Sequence, residues 1–183
     1  MEKTFGSPIP APALADGITI VLGDCAQKTA WQHVGVTADF LGSLFSAAAA
    51  KDGADGLAAR HSIGYLVNEL LENAFKFRLQ NDTPVSIGAR LEAGQFLLAL
   101  QNAISDETAA GFEALLSELM ASDPGDLLIE KIEQNAEGDS DSGSGLGILT
   151  LLNDYSVEMG WKFSETETKG VIELTTFSRL PLD

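Results

Sequence analysis

The segment Asn68-Glu69-Leu70-Leu71-Glu72-Asn73-Ala74-Phe75-Lys76 sets a carboxylate, an amide and an ammonium three and four residues apart. At about 100° per residue, Glu69, Asn73 and Lys76 fall within roughly 60° of one another on a helix. Ile63, Val67, Leu70 and Ala74 centre on another face, about 130° from Glu69. One edge of such a helix packs. The other offers an oxygen ligand for a divalent cation, a cation for phosphate and a carboxylate that can take a proton. Phosphoryl transfer uses those parts. The same residues also suit an ordinary solvated helix face.

A second candidate is Gly143-Ser144-Gly145-Leu146-Gly147-Ile148-Leu149, where the polar stretch 137–145 runs into an apolar helix. Glycines let a backbone approach a ligand closely, and a helix N-terminus offers unpaired N–H groups to an anion. Flexible loops share this composition. Other residues point to nothing further. His33 and His61 read as surface or packing histidines, and Cys25 as a small hydrophobe. Two histidines and one cysteine, far apart, make no zinc pattern, and Asp139 and Asp141 do not complete a calcium loop.

These segments need a scaffold. Residues 1–15, with Pro8, Pro10 and Pro12, are expected as a loose arm. Ile18–Leu22 reads as a strand. Thr29 to about Ala50 reads as a helix with Trp31, Val34, Phe40, Leu41, Leu44 and Phe45 as its core stripe. After a break at 51–56, a stronger helix spans about 57–79, and Asn81-Asp82-Thr83-Pro84 turns the chain. Val85–Leu91 and Phe96–Ile104 form a hairpin about Ala93-Gly94. Ser105 or Asp106 caps a helix over 107–121, and 126–136 is helical again. Leu146 to about Asn153 is a short helix, and Val157–Phe163 and Val171–Phe177 are the last strands. Hairpins beside consecutive helices predict an α+β fold, a two-layer sandwich with helices on one face of a mixed, mainly antiparallel sheet.

The 183 residues suit one domain with a single core. Lys+Arg is 11 against Asp+Glu 27, a net charge of −16 that repels nucleic acid and anionic membranes. Any phosphate must then be held by backbone N–H groups, a metal and a few cations. The lone cysteine fits a reducing compartment, the N-terminus reads as no signal peptide, and no apolar run approaches the ~20 residues of a membrane span. A cytoplasmic protein is expected.

Taken jointly, the two motifs are more specific. An Asn-bearing helix, two strands, a helical insertion and a Gly-x-Gly-Leu-Gly helix start follow one another over residues 57–178. That order resembles the GHKL (Bergerat-fold) ATPase superfamily, which includes histidine kinase catalytic domains and anti-sigma-factor serine kinases. Glu69-x-x-x-Asn73 resembles the N-box of the anti-sigma kinases, and Gly143-x-Gly145-Leu146-Gly147 the second glycine box. The length and layout are similar to the SiaB-like bacterial kinases, whose partner is a small STAS-type protein. The resemblance implies ATP and Mg²⁺ as ligands, with Asn73 holding the metal and Glu69 as general base. Lys76 would sit near phosphate, Gly143, Gly145, Leu146 and Gly147 would cradle the phosphates, and 105–142 would be a lid. It implies a serine/threonine kinase of a partner-switching circuit and leaves a homodimer open.

One box departs from the family. An Asp-x-Gly-x-Gly usually follows the second middle strand, its Asp accepting from the adenine amine. Here the strand ends Leu100-Gln101-Asn102-Ala103-Ile104, and Asn102 stands where the Asp is expected. Its amide oxygen can still accept, with less charge assistance, and Asp106 is a second candidate. The departure motivates an alternative, a degenerate module that keeps the fold and sequesters a partner without ATP. A detached histidine kinase domain fits less well, because Glu69 matches the anti-sigma pattern.

Overall fold

The computed structural model describes residues 2–7, 17–23, 27–80, 83–136 and 146–182. Its organising element is the long helix α2 (Gly56–Phe77). The Asp55 carboxylate starts it by accepting from the Leu57 and Ala58 N–H groups at 2.9 and 3.2 Å, which satisfies two donors of the first turn. The helix stops at Arg78, whose backbone is extended. Apolar residues at helical spacing give it one buried face: Ile63, Leu66, Val67, Leu70, Leu71 and Ala74.

Helix α1 (Gln27–Ala49) lies against α2, and a short 3-10 turn (Ala50–Asp52) joins them. Their approach is close: a side chain at Gly42 would come within 3.0 Å of the Arg60 carbonyl oxygen. Val34, Leu41 and Phe45 of the expected stripe are buried. Phe40 and Leu44 are not, at 50% and 39% exposure. The buried row is Val34, Ala38, Leu41, Phe45, spaced four, three and four, and Phe40 and Leu44 fall outside that stripe. The side chain of Trp31, and Cys25, lie outside the described residues.

Six strands form one sheet in the order β1-β5-β6-β4-β3-β2, and every described pairing is antiparallel. They are β1 (Glu2–Gly6), β2 (Ile18–Leu22), β3 (Val85–Glu92), β4 (Gln95–Ser105), β5 (Glu158–Glu165) and β6 (Val171–Pro181). Ala93 and Gly94 turn the β3–β4 hairpin with φ of 49° and 76°, the paired positive values that a tight two-residue turn requires. Strand residues alternate faces. Phe96, Leu98, Leu100 and Ile104 join the helices in the main core, while Leu97 and Phe177 form a small cluster on the opposite face. The layers are those of a two-layer α/β sandwich.

Residues 2–6 correct the expectation of a loose arm over 1–15. They form an edge strand whose Lys3 and Phe5 pair opposite Phe163 and Trp161 of β5. Phe5 meets the Phe163 ring edge-on at 5.8 Å, and that burial holds the strand in place. Residues 8–16 of that arm, and 81–82 of the expected turn, lie outside the described residues.

Helix α3 (Asp106–Ala121) is capped by the Ser105 hydroxyl, which accepts from the Thr108 N–H at 3.1 Å. Pro124 opens α4 (Pro124–Ala136), with the Asp123 carboxylate accepting from Gly125 and Asp126. Helix α5 (Leu146–Asp154) packs on α4 and α2. Among the described residues no helix is long and apolar enough to cross a membrane.

If the buried face of α2 sets the fold, truncating it must be costly. Leu71, fully buried, is expected to lose about 2–5 kcal/mol of stability on Leu71→Ala. Urea denaturation at unchanged m-value measures this. A loss well under 1 kcal/mol would contradict this packing.

Candidate functional site

Between α2, α3 and the helical face of the sheet lies a cavity of about 350 Å³. Leu70, Asn73, Ala74 and Phe77 of α2 form one wall, and Leu100, Asn102 and Ile104 of β4 form another. Thr108, Gly111, Phe112 and Leu115 of α3 close a third side, and Trp161, Leu174 and Thr176 complete the sheet wall. The walls are mainly apolar, with Asn73, Asn102, Thr108 and Thr176 as the polar groups. No lysine or arginine lines the cavity among the described residues.

Asn102 sits 5% exposed on the helical face of β4. Its Nδ2 donates to the Ala74 carbonyl at 3.4 Å, which orients the amide and leaves Oδ1 to accept from another donor. Asp106 is not among the cavity residues; its N–H donates to the Gly170 carbonyl at 3.3 Å, at the β5–β6 turn.

Glu69 stands one helical turn before Asn73 and is half-buried. A Cβ on Gly147 would overlap the Glu69 carboxylate, so the glycine lets the first turn of α5 meet α2 at that side chain. Burial first, and the Glu72 carboxylate second, push the Glu69 carboxyl above the ordinary glutamate range. Asn68 holds Glu72 by an amide hydrogen bond of 2.8 Å.

The sequence motifs are therefore partly assembled. Glu69 and Gly147 touch, and Asn73 and Asn102 share one cavity. Lys76 stays apart. It is exposed, its Nζ lies 5.1 Å from the Phe77 ring centre, and it does not line the cavity. Leu146 is half-buried at the start of α5, while Gly143 and Gly145 lie outside the described residues. Of the segment 105–142, α3 forms a cavity wall, α4 packs on α5, and 137–142 lie outside the described residues.

Several site residues escape sequence reasoning. Tyr65 stacks on Tyr155 at 5.1 Å with an 18° tilt. This ties α5 to α2 beside Glu69. Burial and then the Glu69 charge raise the Tyr65 hydroxyl above its usual range. Its four-residue spacing from Glu69 was the available signal. Trp161 and Thr176 reach the cavity through strand alternation and cross-strand register, which only β5–β6 pairing reveals.

No family profile matches this chain, and no curated protein matches it. Among solved structures it is similar to a chain in the crystal structure of the SiaB–SiaC complex from Pseudomonas aeruginosa. The TM-score is 0.60 and the identity 13%, over 88% of this chain and 89% of that one. A likeness at that identity is a likeness of fold.

The Glu69 shift has a signed consequence. Its carboxyl is harder to ionise in the folded chain than in the unfolded one. The cost is absent below the ordinary glutamate pKa of about 4.3, grows as pH rises and is full above the folded value. Glu69→Gln removes it. Melting curves should show the variant above the native protein at pH 8, with the gap narrowing as pH falls toward about 4. A destabilised variant at pH 8 would contradict a strained carboxylate.

Proposed function

We propose that this chain is a GHKL-type, ATP-dependent serine/threonine protein kinase of a bacterial partner-switching system, acting in the cytoplasm on a small STAS-type protein. The observation that carries the proposal is the split use of α2. The helix offers Asn73 to the cavity, and one turn earlier it holds Glu69, with a raised pKa, against Gly147. The likeness of fold to a chain of the SiaB–SiaC complex adds the kind of system.

The residues present fit a nucleotide. The cavity lies in the size range of small-molecule sites, and its apolar walls suit a purine ring. Asn102 Oδ1 can accept from an exocyclic amine, with its Nδ2 already engaged by Ala74. Asn73 supplies a hard oxygen donor for Mg²⁺, whose other ligands would be phosphate oxygens and water. The bound metal would draw charge from the phosphates. Glu69 would take the proton of the attacking hydroxyl, and its raised pKa makes it a stronger base than a free glutamate. With no cation among the described cavity residues, the phosphates would depend on that metal and on N–H groups at the start of α5.

The cavity lining favours one alternative, a module that sequesters its partner without ATP. A neutral, largely apolar lining with Asn102 in place of an aspartate is what a decayed nucleotide site would look like. Calorimetric titration with Mg-ATP separates the two: a saturable binding heat supports the kinase, and none supports the sequestering module.

Mg-ATP is expected to raise the melting temperature, because a ligand that binds only the native state stabilises it. Asn73→Ala should remove most of that rise and leave the ligand-free protein folded. An undiminished rise would discard the metal role of Asn73.

Phosphoryl transfer tests the base. Glu69→Gln should lower transfer to the partner about 10²–10⁴-fold while nucleotide affinity stays within a few-fold. Full transfer by the variant would overturn the role.

A further inference from the structure

Helix α5 meets α2 at two points. Gly147, in the first turn of α5, lies against the Glu69 carboxylate. Tyr155, the residue after its last turn, stacks on Tyr65 with ring centres 5.1 Å apart and planes 18° from parallel. The order of the contacts is reversed between the helices. Tyr65 precedes Glu69 by one turn of α2, about 6 Å, and Tyr155 follows Gly147 by about 12 Å along α5. A rod held at one point can pivot, and a rod held near both ends cannot. The ring stack at one end of α5 therefore bears on how closely its first turn presses on Glu69 at the other.

The backbone beside Tyr155 is shaped for this contact. Ser156 has a φ of 52°, a left-handed conformation that is unfavourable for a residue with a Cβ. The next residue anchors it: Val157 is buried, and its N–H donates to the Leu151 carbonyl at 3.1 Å. Both tyrosines are half-buried and pack on the main core. Neither lines the cavity that holds Asn73. Tyr65 and Glu69 instead line a solvent-open groove between α1 and α2. The charged and titratable groups about Glu69, among the described residues, are Glu72, Arg60, His61 and Tyr65 on α2, Asp39 on α1, and Asp154 and Tyr155 at the end of α5.

We propose that the Tyr65–Tyr155 stack is a clasp that positions the base, holding the first turn of α5 on Glu69 so that solvent is kept from one side of the carboxylate. The role given to Glu69 rests on the kinase function proposed above, while the clasp rests on the two contacts. Tyr65 and Tyr155 are positioning residues. Their ring faces carry the contact, and flat stacked faces resist sliding and rotation more than aliphatic side chains do. The clasp also fixes the N–H groups at the start of α5, on which phosphate binding would depend.

The test compares Tyr155→Phe with Tyr155→Ala in the full chain. The Glu69 carboxyl is titrated by NMR of protein carrying ¹³C-labelled glutamate, with Glu69→Gln assigning its signal. Without nucleotide, the native protein and Tyr155→Phe should titrate alike, above the ordinary glutamate range. In Tyr155→Ala water reaches the carboxylate, and its pKa should fall toward that range. The rise in melting temperature given by Mg-ATP should shrink by at least half in Tyr155→Ala and stay native in Tyr155→Phe. Urea denaturation reports whether the Ala variant is folded. If it is not, Tyr155→Leu takes its place, since it keeps an apolar contact without the flat ring, and the same changes are expected. A native Glu69 pKa in the folded variant would overturn the clasp. A fall in Tyr155→Phe would overturn it too, because the hydroxyl and not the ring would then be responsible. A pKa that responds as expected, with no Mg-ATP binding heat in the native protein, would keep the clasp and sink the kinase.

Discussion

The seating of α2 on the sheet is the constraint from which the site follows. Leu66, Val67 and Leu71 are fully buried, and each such side chain contributes about 1.5–3 kcal/mol by leaving water. Together they set the rotation of the helix about its axis. A turn of one residue, about 100°, would carry Glu69 toward the core and expose a leucine. Burying an unpaired carboxylate costs more than the packing returns, so the alternative rotation is closed. The raised pKa of Glu69 shows the side chain held part-way toward that cost.

Aromatic rings join α3 to the sheet beside the cavity. Phe112 meets Trp161 edge-on at 6.1 Å and Phe163 at 5.9 Å. Strand β1 extends the same cluster through Phe5, and Lys3 pairs with Glu113 of α3 at 2.6 Å. The ion pair is exposed and contributes little by itself; the ring contacts carry the wall. The far edge of the sheet and the wall of the cavity are thus one packed unit.

Charge is distributed with the same economy. The surface is strongly acidic, yet the cavity offers neutral amides and hydroxyls, and the outer face of α1 is nearly uncharged. A neutral lining does not repel a polyanionic ligand, and an uncharged face does not repel a protein. That cavity and the groove between α1 and α2 flank a single helix, with Asn73 lining the first and Glu69 the second.

Local signals made much of this legible. The stripe at Ile63, Val67, Leu70 and Ala74 announces α2, Ser105 sits at a helix start, and Ala93-Gly94 marks the hairpin. These depend on residues within a turn or two of one another, and helical and strand periods can be counted from the chain alone. Strand β1 was hidden because its partner β5 lies more than 150 residues away and prolines follow it. Phe40 and Leu44 looked like core because hydrophobicity does not say which face of a helix finds a neighbour. Spacing likewise put Glu69 and Asn73 on one helix edge, but not in different openings, nor Glu69 against Gly147. The sequence by itself determined which residues share a helix face. Tertiary packing alone decided what each face meets, since that depends on contacts between segments far apart in the chain.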